Sequence, residues 1–336
     1  MKVAVTGIAG YLGGLILRRL DAATEVDTIL GLDVVEPDFK SEKFIFQRAD
    51  VRTTDFRKAL QGCDAVYHLA FIVQPLRKTP MRIIDEVNVE GSGRLFKGAV
   101  DAGVPKIIFA SSTSVYGAHP DNPKKLTEGS PLRPNDNWYY SRTKGKVEAC
   151  LDDLQKRHPQ TIIIRFRPCI FLGPGINNSI GRLLSSRILV SLGRDVKIDF
   201  CWDEDVADAF LLALRHGESD IFNLAADSPL TIDEMGRLSG KTVIHLNHNI
   251  AVMLFQSAQV LGLYPAGAVE WIKVATNCSI IVSAEKAKRK LGWEPRYDAA
   301  GAYLEFLKHR RVIQPLRART SSLSRHLFIT DREALK

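Results

Sequence analysis

The chain has 336 residues, of which 45% are hydrophobic and 25% charged; this is the balance of an ordinary globular protein and excludes disordered and fibrous classes. That length allows one large α/β domain with an added lobe, or two domains. A net charge of +8 can draw anionic ligands to a basic, solvated surface, but no Lys/Arg run interleaved with aromatics is present, so nucleic acid is not an expected partner.

The five cysteines, at 63, 150, 169, 201 and 278, are scattered and without CxxC spacing. That argues against a disulfide framework and a structural zinc site, and no metal is expected. Gly7, Gly10, Gly13 and Gly14 interrupt the first apolar run, unlike a signal peptide. The apolar stretch from Ile250 to Tyr264 falls short of the ~20 residues needed to span a membrane. A cytoplasmic protein with reduced thiols and no membrane contact is expected.

In chain order, KVAVTG is a β-branched run closed by glycine and reads as a buried strand. Helical apolar spacing follows from Tyr11 to Leu20. Strands TILGLD and KFIFQRAD end at Asp33 and Asp50. A helix over 54–60, the strand AVYHLA, a helix over 87–102 and the strand KIIFAS come next. A helix from Tyr140 to His158 leads into the strand TIIIRFRP. This alternation predicts βαβ units and an α/β fold, a doubly wound parallel sheet with a smaller α/β substrate lobe. Beyond Pro174, VKIDF and IFNLAA read as strands, and DVADAFLLALRHG, TIDEMGRLSG and EKAKRKLGW as helices. The expected division is a dinucleotide-binding domain of residues 1–172 and 200–225, a substrate lobe of 173–199 and 226–310, and a basic surface tail of 311–336.

Four motifs carry chemistry. Thr6 to Gly13 (TGIAGYLG) joins a strand to a helix: Gly7 permits the turn, Gly10 lets backbone approach a pyrophosphate, and Gly13 lets helix and strand pack closely. The helix N-terminus would then offer unpaired N–H groups to the phosphates. Asp33, about 20 residues on at the end of the next strand, can accept both ribose hydroxyls and would repel a 2′-phosphate, favouring NAD over NADP. Tyr140 and Lys144 lie four apart on a helix and share a face; an ammonium beside a phenol lowers its pKa from about 10. Ser111 to Gly117 follows the strand KIIFA, placing hydroxyls where parallel sheets bind ligands.

Together these motifs resemble the extended short-chain dehydrogenase/reductase family, also called the NAD-dependent epimerase/dehydratase family, over about 300 residues. The resemblance implies a Rossmann fold binding NAD, with Ser112, Tyr140 and Lys144 catalytic. It implies cofactor contacts from Gly7, Ala9, Gly10, Tyr11, Leu12, Gly13 and Asp33, and from Asp50 and Val51 at the adenine. Leu69, Ala70 and Phe71 after His68, then Asn88, Ser111, Tyr140, Lys144, Arg167 and Pro168, complete the implied cofactor set. A late LGWEP, Leu291 to Pro295, also matches. Family members often pair as homodimers; here the helix from Val87 and the helix from Tyr140 would form the interface.

Two positions depart from the family pattern. Trp202 stands where members often carry His, and Ile198 stands where sugar-nucleotide members usually carry an Arg, with Arg194 nearby but out of register. Asn177 and Asn178 do lie where such enzymes place a substrate-side Asn. The expected activity is hydride transfer between a substrate alcohol/ketone carbon and NAD with Tyr140 as acid/base. A nucleotide-sugar epimerase or dehydratase is the alternative, and the substrate is a small molecule, nucleotide-linked or hydrophobic. A non-catalytic dinucleotide-binding regulator is the remote alternative, since such proteins typically lose the Tyr or Lys and both are present. His68 reads as a satisfied core residue, Trp202 as core or pocket, and Ile250 to Tyr264 as a packed lobe helix or a cover for a hydrophobic ligand.

Overall fold

The computed structural model describes residues 1–74, 79–192, 196–261, 266–276 and 278–310. Arg194, Tyr264 and the tail 311–336 lie outside the described residues. Seven strands form one parallel sheet: β1 (Lys2–Thr6), β2 (Thr28–Asp33), β3 (Phe44–Arg48), β4 (Ala65–His68), β5 (Lys106–Ala110), β6 (Ile162–Pro168) and β7 (Asp220–Leu224). Their spatial order is β7-β6-β5-β4-β1-β2-β3. Helices cover both faces, so the inner strands carry continuous rather than alternating apolar runs; Val3, Ala4 and Val5 of β1 are all fully buried.

Strand order runs outward in both directions from β1 and β4. Thr6 pairs with Leu32 on one side and His68 on the other, so the loops after β1, β2 and β4 leave the sheet at one level and open a crevice. His68 sits below that level, buried between the Thr6 hydroxyl at 2.8 Å and the Ser92 hydroxyl at 2.8 Å. It is a satisfied core residue, and burial holds its imidazole down at about 3.

A second apolar cluster, including Leu172, Phe200, Trp202, Tyr303 and Phe306, packs beyond the sheet's carboxyl edge. Two short parallel pairs serve it: Ile170–Leu172 with Phe200–Trp202, and Ile188–Ser191 with Thr242–His245. Trp202 belongs to this core, its ring 5.6 Å from that of Tyr297.

Several boundaries differ from the sequence reading. VKIDF is not a strand along its length: strand pairing begins only at Phe200, and Ile198 makes an isolated antiparallel bridge to Leu230. The helix expected over 87–102 begins earlier, at Met81–Asp85, and passes through a π-helical turn at Glu86–Glu90 before Gly91–Asp101. The helix expected over 54–60 is the single turn Phe56–Ala59, capped by the Asp55 carboxylate. The segment from Ile250 is a helix, His248–Val260, but packs through one narrow side. Ala251 is buried while Ile250, Met253 and Leu254 are more than half exposed.

Candidate active site

The glycine loop is built by backbone crowding. Gly7 has φ +71°, and a Cβ there would lie 2.5 Å from the Ala70 amide nitrogen. A Cβ on Gly13 would lie 2.3 Å from the Gly7 carbonyl oxygen and 2.7 Å from that of Ile8. Only hydrogen fits at either place. The helix Tyr11–Ala22 starts at Gly10 with no side-chain cap, leaving its first-turn N–H groups to the crevice, which Gly10, Tyr11, Leu12 and Gly13 line. Asp33 ties the loop from below: Oδ2 accepts the Ala9 N–H at 3.0 Å, and Oδ1 accepts those of Val34 at 2.7 Å and Val35 at 3.3 Å.

The helix Tyr139–Arg157 carries Tyr140, Lys144 and Glu148 at four-residue spacing along one face. Tyr140 is half-buried in the crevice wall, which Ser112 also lines. Its neighbour Tyr139 is already engaged, its hydroxyl donating to the Val73 carbonyl. Of the two adjacent tyrosines, therefore, Tyr140 presents its hydroxyl beside a serine at the carboxyl end of β5.

The sequence reading placed the Lys144 ammonium beside the Tyr140 phenol, lowering its pKa. In the structure Lys144 donates to the Ala110 carbonyl at 2.5 Å and stands over the Phe71 ring, 3.6 Å from its centroid. The Tyr140 ring centroid is 5.8 Å away. Burial accordingly pushes the Tyr140 phenol above its ordinary value, with the Ser112 side chain opposing. Burial pulls the Lys144 ammonium down to about 7, with Glu148 one turn on opposing.

These groups share one cavity of about 490 Å³, which runs from the glycine loop past Ser112 and Tyr140 to Ile198 and Asp199. Of the expected cofactor residues, Gly7, Gly10, Tyr11, Leu12, Gly13, Leu69, Phe71, Ser111, Tyr140, Lys144 and Pro168 line it. Ala9, Asp33 and Ala70 form the loop's backing by hydrogen bonding and close packing. Asn88 stands behind the wall, its amide clamping the Ile72 N–H at 2.7 Å and the Ile72 carbonyl at 3.1 Å.

Three expected cofactor residues have other partners. The Asp50 carboxylate is taken by Arg52, with Nη2 to Oδ2 at 2.6 Å. The Val51 side chain is turned to the glycine face of Gly91. The Arg167 guanidinium is buried against Glu148 and the Tyr116 hydroxyl rather than facing the cavity.

Sequence reasoning missed Val73, Gln74, Tyr139, Cys169, Asp199 and the isoleucines of the far wall. Val73, Gln74, Cys169 and Asp199 come from loops with no periodic signal, while Tyr139 opens the helix that carries Tyr140. Asp199 is the most unusual of them: it is buried, its Oδ2 accepts the Val282 N–H at 2.8 Å, and burial pushes its carboxyl up to about 7 against that hydrogen bond.

Residues 3–225 match the profile of the NAD dependent epimerase/dehydratase family. The chain belongs to this family and is an NAD-dependent enzyme. An uncharacterized protein of Mycobacterium tuberculosis is 23% identical over 329 residues, covering 95% of this chain and 87% of its own. A UDP-glucose 4-epimerase of Lactobacillus helveticus is 26% identical over 337 residues, covering 89% and 93%. The structure of UDP-glucuronic acid 4-epimerase from Bacillus cereus, in complex with UDP-glucuronic acid and NAD, matches the fold with a TM-score of 0.72 at 20% identity, covering 93% of this chain and 99% of that one. No helix among the described residues is long and apolar enough to cross a membrane.

The residues present fit a dinucleotide. The glycine cradle excludes side chains where a pyrophosphate needs backbone, uncapped N–H groups face the same space, and the Asp33 carboxylate retains lone pairs for ribose hydroxyls.

Proposed function

We propose that this enzyme interconverts a substrate alcohol and ketone, with Tyr140 as the proton-transfer residue. NAD, when bound, supplies the acceptor for the carbon-bound hydride. The Tyr140 oxygen takes the hydroxyl proton and returns it in reduction. Ser112 hydrogen-bonds the same substrate oxygen and holds it against Tyr140. Lys144 supplies positive charge on the cofactor side of the phenol and a donor toward the ribose. The observation that carries this reading is that Ser112, Tyr140 and Lys144 line the same cavity as the glycine loop.

A second reading, redox-neutral epimerisation of a nucleotide sugar, is favoured by the Lactobacillus helveticus relative. The two are separated by the cofactor after turnover. A net oxidoreductase leaves NADH accumulating with product, whereas an epimerase returns NAD unchanged over many turnovers. Loss of activity in Tyr140→Phe tests the proton-transfer role common to both.

A further inference from the structure

Beyond the Ser112–Tyr140 pair the cavity changes character. Its far wall is built by Ile176, by Ile180 and Leu183 of the helix Ser179–Ser185, and by Ile272 and Ile280. Ile180, Leu183 and Ile280 are only half-buried, so they hold apolar surface that a bound molecule would remove from water. The buried charged side chain at this end is Asp199, an acid. Among the described lining residues the cations are Lys144, bonded to the Ala110 carbonyl at the cofactor end, and Lys197, exposed at the rim.

A nucleoside diphosphate brings negative charge that must be paired or hydrogen-bonded once it leaves water. At this end it finds no buried cation to pair with among the described lining residues, only the Asp199 carboxyl bonded to the Val282 N–H. A hydrocarbon body gains from this wall what a diphosphate would lose.

Resting on the alcohol/ketone reading above, we propose that the substrate is a predominantly apolar alcohol or ketone carrying no diphosphate. Its oxygen lies at Ser112 and Tyr140, and its hydrocarbon body lies against the Ile180–Leu183 wall.

The test reads binding rather than turnover. The full chain saturated with NAD, which cannot reduce a ketone, is titrated by calorimetry with UDP, with dTDP and with 4-alkylcyclohexanones from methyl to butyl. Each methylene that reaches the wall should tighten binding roughly fourfold, and neither nucleotide should bind at millimolar concentration. Leu183→Asp should weaken the butyl ketone at least tenfold with NAD affinity held, and Ile180→Ser provides a milder variant if Leu183→Asp does not fold. UDP or dTDP binding more tightly than the butyl ketone would overturn the proposal. So would a flat alkyl series, or wild-type ketone affinity in Ile180→Ser and any folded Leu183→Asp. The Tyr140→Phe protein should keep the alkyl slope, so failure of the proton-transfer reading and failure of the apolar-substrate proposal are told apart.

Discussion

Glu148 receives the Arg167 guanidinium on both carboxylate oxygens, Nε to Oε1 at 2.8 Å and Nη2 to Oε2 at 2.9 Å, with both side chains buried. The Ser111 hydroxyl donates to Oε1 at 2.6 Å, and Arg165 adds a contact to Oε2 at 3.0 Å. Glu148 shares its helix face with Tyr140 and Lys144, so this pair fastens the helix that bears both to β6 and to the end of β5. A doubly bonded carboxylate–guanidinium pair fixes direction as well as distance. The position of Tyr140 therefore depends on a residue two turns away.

Glu148→Gln should destabilise the fold by about 3–5 kcal/mol, because it leaves Arg167 an uncompensated buried cation, while Arg165 keeps Asp152 at 2.6 Å. Urea unfolding measures this. The pH dependence follows from the same pair. Burial raises the Glu148 carboxyl, but Arg167 and Arg165 outweigh it and hold the group at about 2, below its ordinary 4.5. The unfolded chain thus binds this proton before the folded one does. The stability it contributes is complete above pH 4.5 and is lost as pH falls toward 2. Acid unfolding of Glu148→Gln should lack that increment.

Tyr140→Phe keeps the ring and removes only the hydroxyl. Turnover should fall by about 10²–10⁴-fold, the range for a positioned acid or base. NADH affinity, measured by fluorescence titration, should be unchanged. Lys144→Met should lower both, since its ammonium is proposed to serve the ribose as well as the phenol. Near-full turnover in Tyr140→Phe on any accepted substrate removes the mechanism.

Asp33→Ala should weaken NAD and narrow its advantage over NADP, by roughly tenfold or more for a charged hydrogen bond worth ~1.5–3 kcal/mol. Part of the loss will come from the loop itself, because Asp33 also holds the Ala9 N–H. Asp33→Asn keeps an acceptor for that N–H and separates the two effects. Equal NAD and NADP affinities in the wild-type protein would rule out the ribose role.

Gly13→Ala places a methyl 2.3 Å from one carbonyl oxygen and 2.7 Å from another. Both belong to backbone and cannot swing aside, so the helix must shift away from β1. Overpacking of this kind costs about 1–3 kcal/mol, and the displaced N–H groups should weaken NAD binding by an order of magnitude or more. Gly14→Ala is the control, since nothing lies within 4 Å of a Cβ there; it should bind NAD as the wild type does.

Much of the site was legible because its signals are local. The tight loop after β1, the carboxylate ending β2 and the four-residue step from Tyr140 to Lys144 are properties of short stretches, and strand and helix periodicities placed them along one sheet edge. Spacing along a helix says that Tyr140, Lys144 and Glu148 share a face; it does not say which groups oppose that face. Tertiary packing brought the Ala110 carbonyl and Phe71 against Lys144, turned Arg167 inward to Glu148, and set Asp199 among the cavity's isoleucines. Partners chosen across 19 to 83 positions of chain are decided by burial: a charge removed from water must find its counterpart wherever the fold presents one.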